Sequence, residues 1–135
     1  MTYLDTSVAL AHLLGETRAP EPALWAELLV SSRLLEYELW TRIHARGLGR
    51  SHAEEVRQLL GVVSIVELSP VVLARATEPF PMAVRTLDAL HLATMSFLRD
   101  RGDRITLASY DDKLVRAARA LEFPVHPGAC PDRSS

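Results

Sequence analysis

Short apolar runs and longer stretches of helical periodicity take turns along this chain, and that alternation predicts its architecture. The run from Thr2 to Asp5 reads as a strand ending on an acid, with Thr6 and Ser7 next as capping residues for an Ala/Leu helix to about Leu14. A polar loop from Gly15 leads to Pro22, which suits the first turn of a helix through about Leu29. Ser31 to Leu34 is predicted as a brief strand, and Leu35 to Arg46 as a helix closed by Gly47 and Gly49. Ser51 and Glu54 have the spacing of a capping box for a helix ending near Gly61.

Val62 to Leu68 is short and rich in β-branched residues, as a buried strand is. Pro70 opens a helix that Pro79 and Pro81 terminate. Thr86 to Asp100 carries apolar residues at 87, 90, 93, 97 and 98, a helical pattern stopped by Gly102. Ile105 to Ala108 reads as a strand, Tyr110 to Leu121 as a helix and Pro124 to His126 as a last short strand. Strands alternating with helices predict an α/β fold around a mainly parallel sheet.

With 135 residues, 48% of them hydrophobic, the chain fits one domain with a sizeable core. No stretch reaches the roughly 18 apolar residues of a membrane span, and no basic segment followed by an apolar one stands at the N-terminus. The expectation is a soluble, unprocessed, cytoplasmic protein. Cys130 is the single cysteine, so an intrachain disulfide and a cysteine metal cage are both excluded.

Four acids interrupt apolar or small-residue settings: Asp5 in YLDTSVAL, Glu38 in LLEYELW, Asp88 in TLDALHLA and Asp111 in LASYDDKL. An ionised acid at the edge of a core is costly, and four that converge repel one another unless a cation lies between them. Asp5 and Asp111 fall where predicted strands hand over to helices, the end of a parallel sheet at which sites form. Asp111 and its neighbour Asp112 also suit the first turn of a helix, against its dipole, and so does Asp88. Glu36 and Glu38 lie about 200° apart around one helix, so only one can face such a site. The pattern favours Glu38, beside Leu39, without excluding Glu36.

The formal net charge is −2, and leaving out the four candidate ligands makes the remainder positive. An RNA partner is therefore not excluded. Fourteen of the fifteen basic residues are arginine, whose planar fork pairs well with phosphate, though coding bias also produces such a count. Arg85 stands just before the helix of Asp88 and is a candidate RNA contact. Arg42, His44, Arg46 and Arg50 form a basic cluster that is equally a solvated helix end. Trp25 and Trp40 could stack on bases, but packing explains them better. His91, three residues after Asp88, reads as a histidine hydrogen-bonded within the fold or as a partner of the acids.

The strings YLDTS, SSRLLEYELWTRI, RTLDALHLAT and SYDDKLVRAARALEFPVHPG, in this order, resemble the PIN-domain ribonucleases, and among them the VapC toxins of bacterial toxin-antitoxin pairs. The resemblance runs from Tyr3 to Gly128 and implies a PIN domain over residues 1–128 with a short tail, 129–135. It implies a three-layer α/β/α fold with four to five strands. It selects Glu38 over Glu36, because the family acid directly precedes an apolar residue. Asp5, Glu38, Asp88 and Asp111 then correspond to the family's four metal-binding acids. Ser109 stands where the family usually has threonine, keeping a hydroxyl beside the metal shell, and Thr6 and His91 are further candidates to support that shell.

Clustered carboxylates without cysteine select hard cations, Mg²⁺ or Mn²⁺. The implied activity is endonucleolytic hydrolysis of RNA by a metal-activated water. The implied partners are a cognate antitoxin, a second copy in a homodimer, and operator DNA through the antitoxin alone. One competing reading is a catalytically weak PIN domain that mainly binds an antitoxin. Another, phosphotransfer through an aspartyl-phosphate on Asp5, is disfavoured, because DTS lacks the second acid of a DxD motif and Lys113 is the single lysine.

Overall fold

Tyr3 and Leu4 are neighbours in sequence and wholly buried, yet they belong to different cores. A strand imposes that alternation when its sheet is covered on both faces. In the computed structural model, which describes residues 1–131, they lie in β1 (Thr2–Leu4), an interior strand of a four-stranded sheet. β2 (Leu29–Ser32), β3 (Val63–Val66) and β4 (Thr106–Ala108) complete the order β3-β2-β1-β4, with every neighbouring pair parallel.

Parallel neighbours need long crossovers, which helices supply. These are α1 (Thr6–Leu13), α2 (Leu34–Ala45), α3 (Ala53–Gly61), α4 (Pro70–Ala76), α5 (Thr86–Asp100) and α6 (Asp112–Ala120). Leu4, Val8, Leu35, Leu39 and Leu59 build the core under α1, α2 and α3. Tyr3, Leu92, Met95, Leu107, Leu114 and Val115 build the other, under α5 and α6. The result is the expected α/β/α arrangement with an all-parallel sheet. No helix among the described residues is long and apolar enough to cross a membrane.

The chain builds outward from β1 through β2 to β3, then returns to the far side of β1 for β4. That reversal makes the carboxyl ends of β1 and β4 a topological switch point, where a crevice opens. Asp5 follows β1 directly, and Ser109 to Asp111 follow β4. A hydrogen bond from the Asp5 N–H to the Ala108 carbonyl, 3.0 Å, closes the two strand ends together.

Several local expectations shift. The helix expected from Pro22 to Leu29 is a 3₁₀ turn over Pro22–Ala26, and the next strand starts at Leu29 in place of Ser31. Sheet pairing decides this, because Leu29 and Val30 align with Thr2 and Tyr3 of β1. The Ser51–Glu54 capping box does not form: His52 is the N-cap of α3, and the Ser51 hydroxyl engages the His52 ring at 2.7 Å. Thr6 and Ser7 lie inside α1, whose N-cap position belongs to Asp5. The last predicted strand reduces to a single parallel bridge between Leu107 and Val125. Ala129, just past the expected boundary at Gly128, is buried, and its carbonyl accepts the Ser109 N–H at 3.0 Å. Residues 132–135 of the expected tail lie outside the described residues.

Leu92 on α5 is fully buried against the sheet. Leu92→Ala is expected to lower the unfolding free energy by about 2–5 kcal/mol, the range for a cavity in a packed core. Urea denaturation reads this directly, and a loss below about 0.5 kcal/mol, the scale of surface changes, would show that α5 is not packed as described.

Candidate active site

Asp5 is buried at the end of β1, in extended conformation at the head of α1, yet its side chain does not cap the helix. Its Oδ2 instead accepts the hydroxyls of Ser7, 2.6 Å, and Ser109, 2.7 Å. The Ser7 oxygen in turn accepts the Tyr110 N–H at 2.9 Å, and the Ser109 oxygen accepts the Asp111 N–H at 3.0 Å. Two hydroxyls thereby lock the ends of β1 and β4 around one carboxylate. Their protons are committed to Asp5, and their lone pairs to the backbone that carries Asp111.

Glu38 reaches the same place from α2, held by the buried Leu39 beside it. Its Oε1 accepts the Thr6 hydroxyl at 3.0 Å and pairs with His91 Nε2 at 2.7 Å. His91 is buried on α5, and its Nδ1 lies 2.7 Å from the hydroxyl of Tyr3. Asp111 is the N-cap of α6, and its Oδ1 accepts the N–H groups of Lys113, 2.9 Å, and Leu114, 3.3 Å. A common pattern results: each of these acids has one oxygen loaded with two donors. Asp5 Oδ1, Glu38 Oε2 and Asp111 Oδ2 take no hydrogen bond from the described residues.

Asp88, in the first turn of α5, has neither oxygen engaged by a donor among the described residues. Burial pushes its carboxyl above the usual range, and the charges of Asp111 and Asp5 push it further. Glu38 adds to this, while His91 opposes it. Asp88 therefore senses the other three acids across the crevice. Burial works against the His91 imidazolium, but the hydrogen bond to Glu38 and the charges of Asp5, Glu38 and Asp88 outweigh it and raise the pKa. Burial likewise raises the Tyr3 phenol, which stays protonated.

Glu38, Asp88 and Asp111 line a cleft of about 700 Å³ whose rim carries Arg42, Arg85, Lys113 and Arg116. Asp112 also lines the cleft, but its exposed carboxylate is paired with Arg116 at 2.6 Å. Glu36 turns to Arg33 at 2.8 Å and leaves the cleft to Glu38. Of the basic cluster, Arg42 alone reaches the cleft lining. His44 stacks on Trp40 with ring centroids 5.6 Å apart, and Trp25 lies against His12 at 4.6 Å, so both tryptophans serve packing.

Ser7 and Tyr3 are the contributors that sequence reasoning passed over. A signal existed for each: Ser7 lies two residues after an acid it can hydrogen-bond, and a buried tyrosine needs a partner for its hydroxyl. No group of three or more His, Cys, Asp or Glu side chains among the described residues stands in a metal-holding arrangement. The chemistry of the donors fits a hard cation nonetheless, since the unclaimed atoms are all carboxylate oxygens.

Residues 2–120 match the family model described as PIN domain. The chain belongs to the PIN-domain family. This PIN domain is 30% identical over 137 residues to Ribonuclease VapC47 of Mycobacterium tuberculosis (strain CDC 1551 / Oshkosh), covering 96% of the chain and 98% of that relative. It is 29% identical over 130 residues to Ribonuclease VapC35 of the same strain, covering 93% and 95%. Among solved structures, Mycobacterium tuberculosis VapC20, described as a Sarcin-Ricin loop cleaving toxin, superposes with a TM-score of 0.67 at 20% identity, covering 87% and 95%. A toxin-antitoxin complex from Klebsiella pneumoniae gives 0.70 at 18% identity, covering 96% and 99%. The solved structures establish that the PIN fold is shared, and the sequence relatives are VapC ribonucleases.

Asp88 carries a stability consequence for this PIN domain. Its folded-state pKa lies above the unfolded value, so its contribution to stability is present below the unfolded pKa and is lost as pH rises through the folded one. In the presence of a chelator, Asp88→Asn is expected to raise the Tm at neutral pH. The gain should shrink as pH falls toward the unfolded carboxyl pKa of about 4. Thermal unfolding followed by circular dichroism checks this, and an unchanged or lower Tm at neutral pH would contradict like-charge crowding.

Proposed function

We propose that this PIN domain is a metal-dependent endoribonuclease of the toxin kind, which hydrolyses RNA phosphodiester bonds and is inhibited by a cognate antitoxin. The observation that carries the reading is the division of labour within the carboxylates. Three acids from three separate elements each give one oxygen to the protein and keep the other unclaimed, beside Asp88 with both unclaimed. Carboxylate oxygens without a donor at the edge of a core are costly, and several left open around one crevice favour a ligand that takes the place of the missing donors.

Asp5, Glu38, Asp88 and Asp111 would hold Mg²⁺ or Mn²⁺, hard cations that prefer such oxygens. The chemistry supplied by a bound ion is a lowered pKa of its water and neutralisation of charge on the phosphate. The chain's own part is to keep the acids oriented through Ser7, Ser109, Thr6 and the α6 N-terminus, so that no donor has to be displaced when RNA arrives. Arg42, Arg85 and Lys113 form no ion pair with the described acids and stand at the cleft rim, suited to phosphate oxygens. Hydrolysis then leaves 5′-phosphate and 3′-hydroxyl ends.

The curated relatives VapC47 and VapC35, both ribonucleases by name, support the activity, and the Klebsiella pneumoniae complex supports an antitoxin partner. The proposal includes a homodimer, for which exposed Tyr37, Val62, Val71 and Leu73 leave apolar surface. DNA contact would come only through the antitoxin.

With Mg²⁺ and an RNA substrate, Asp5→Asn and Glu38→Gln are each expected to lower kcat by about 100-fold or more, the scale of several kcal/mol of charge stabilisation. Chelation should abolish cleavage. Asp112→Asn, which breaks only an exposed pair with Arg116, should stay within about threefold of the parent protein. Gel assays of purified variants decide the matter, and cleavage undiminished in Asp5→Asn would refute the site.

A further inference from the structure

A chain of hydrogen bonds runs from the interior of the sheet to the cleft. The Tyr3 hydroxyl meets His91 Nδ1 at 2.7 Å, and His91 Nε2 meets Glu38 Oε1 at 2.7 Å. Both interior members are buried, Tyr3 completely, and the two rings stand edge to face with centroids 5.8 Å apart. Tyr3 is fixed by β1 and His91 by α5, so the line is anchored in two packed elements before it touches the acid on α2. We propose that Tyr3 and His91 are positioning residues that orient the Glu38 carboxylate and reserve its Oε2 for the reaction centre.

The proton count gives the line a direction. An ionised Glu38 only accepts, so Nε2 carries a proton and donates it to Oε1. Nδ1 accepts the phenol O–H of Tyr3 while the ring is neutral and donates to the phenol oxygen when it is protonated, and either state leaves Nε2 donating to Oε1. Thr6 supplies the second donor to Oε1 at 3.0 Å. Oε1 is thus engaged from two sides, and rotation of the carboxylate would break both bonds. A glutamate has several rotatable bonds, and its reach is useful in catalysis only when something stops it from wandering. A histidine serving the core alone would have no need to end on an acid of the cleft. The inference rests on the reading of Glu38 as part of the reaction centre.

Three variants of the full-length protein test it: Tyr3→Phe, which removes one hydroxyl; His91→Leu, which ends the line; and His91→Gln, whose amide N–H can still reach Glu38. Mn²⁺ binding is followed by electron paramagnetic resonance of the free ion, alongside kcat and KM for RNA cleavage and the Tm. His91→Leu is expected to weaken Mn²⁺ binding and to lower kcat by about 10–100-fold with KM unchanged, the usual range for partners that orient metal-binding groups. His91→Gln should recover most of the loss. Tyr3→Phe should move the same two quantities the same way, by less, and ¹⁵N NMR of the imidazole should show Nε2 as the protonated nitrogen.

Parent-like Mn²⁺ affinity and kcat in folded His91→Leu would overturn the proposal, whatever happens to the Tm. If His91→Leu does not fold, parent values in Tyr3→Phe together with no gain of His91→Gln over Glu38→Gln would overturn it as well. Glu38→Gln separates the two readings. If that variant also binds Mn²⁺ and cleaves like the parent, the reaction centre itself is wrongly placed and the positioning role falls with it. If Glu38→Gln is impaired while His91→Leu is not, only the positioning role fails.

Discussion

Like charges crowded at one end of a parallel sheet are the constraint on which the rest of this structure turns. Asp5, Glu38, Asp88 and Asp111 come from β1, α2, α5 and α6, so the repulsion between them acts on nearly every layer of the fold. Three arrangements oppose it. Asp5 heads α1, Asp88 lies in the first turn of α5 and Asp111 caps α6, so three positive helix ends meet the acids. Hydroxyl and amide donors load one oxygen on each of three acids. The sheet beneath is rigid and buried on both faces, and it prevents the strand ends from spreading.

These same devices explain why the centre is not simply a cost to the fold. A donor that stabilises a carboxylate by binding both oxygens would quench it. Here the donors are shared out so that one oxygen of each of the three acids takes no hydrogen bond from the described residues. Asp88 receives no such help and remains the member with the least favourable ionisation. Stability is surrendered at that residue while its carboxylate is ionised.

Much of this was legible in the sequence, because period and punctuation mark the four strands and six α-helices, although the expected fifth strand is a single bridge and the expected helix from Pro22 a 3₁₀ turn. The four acids were visible because each breaks an apolar context. What the sequence concealed has a common cause in distance. Ser109 and Asp5 are 104 residues apart, and Tyr3 and His91 are 88 apart, so no local pattern announces either contact. β2 was misplaced by two residues because its register is set by β1, and the Ser51–Glu54 box lost to a neighbouring histidine ring. Asp111 was ambiguous between helix cap and site residue for a physical reason: Oδ1 caps α6 while Oδ2 takes no hydrogen bond from the described residues, so the cap does not exclude the other role.

The hydroxyl clamp between the ends of β1 and β4 has a bearing on biosynthesis. Asp5 precedes Ser109 by 104 residues, so it is synthesised well before the residues that clamp it and carry Asp111. β1 can pair with β2 early, yet its other edge stays open until β4 docks. A nascent chain therefore carries most of the domain without a finished centre. That order of assembly keeps the acids of the crevice apart until β4 has docked beside β1.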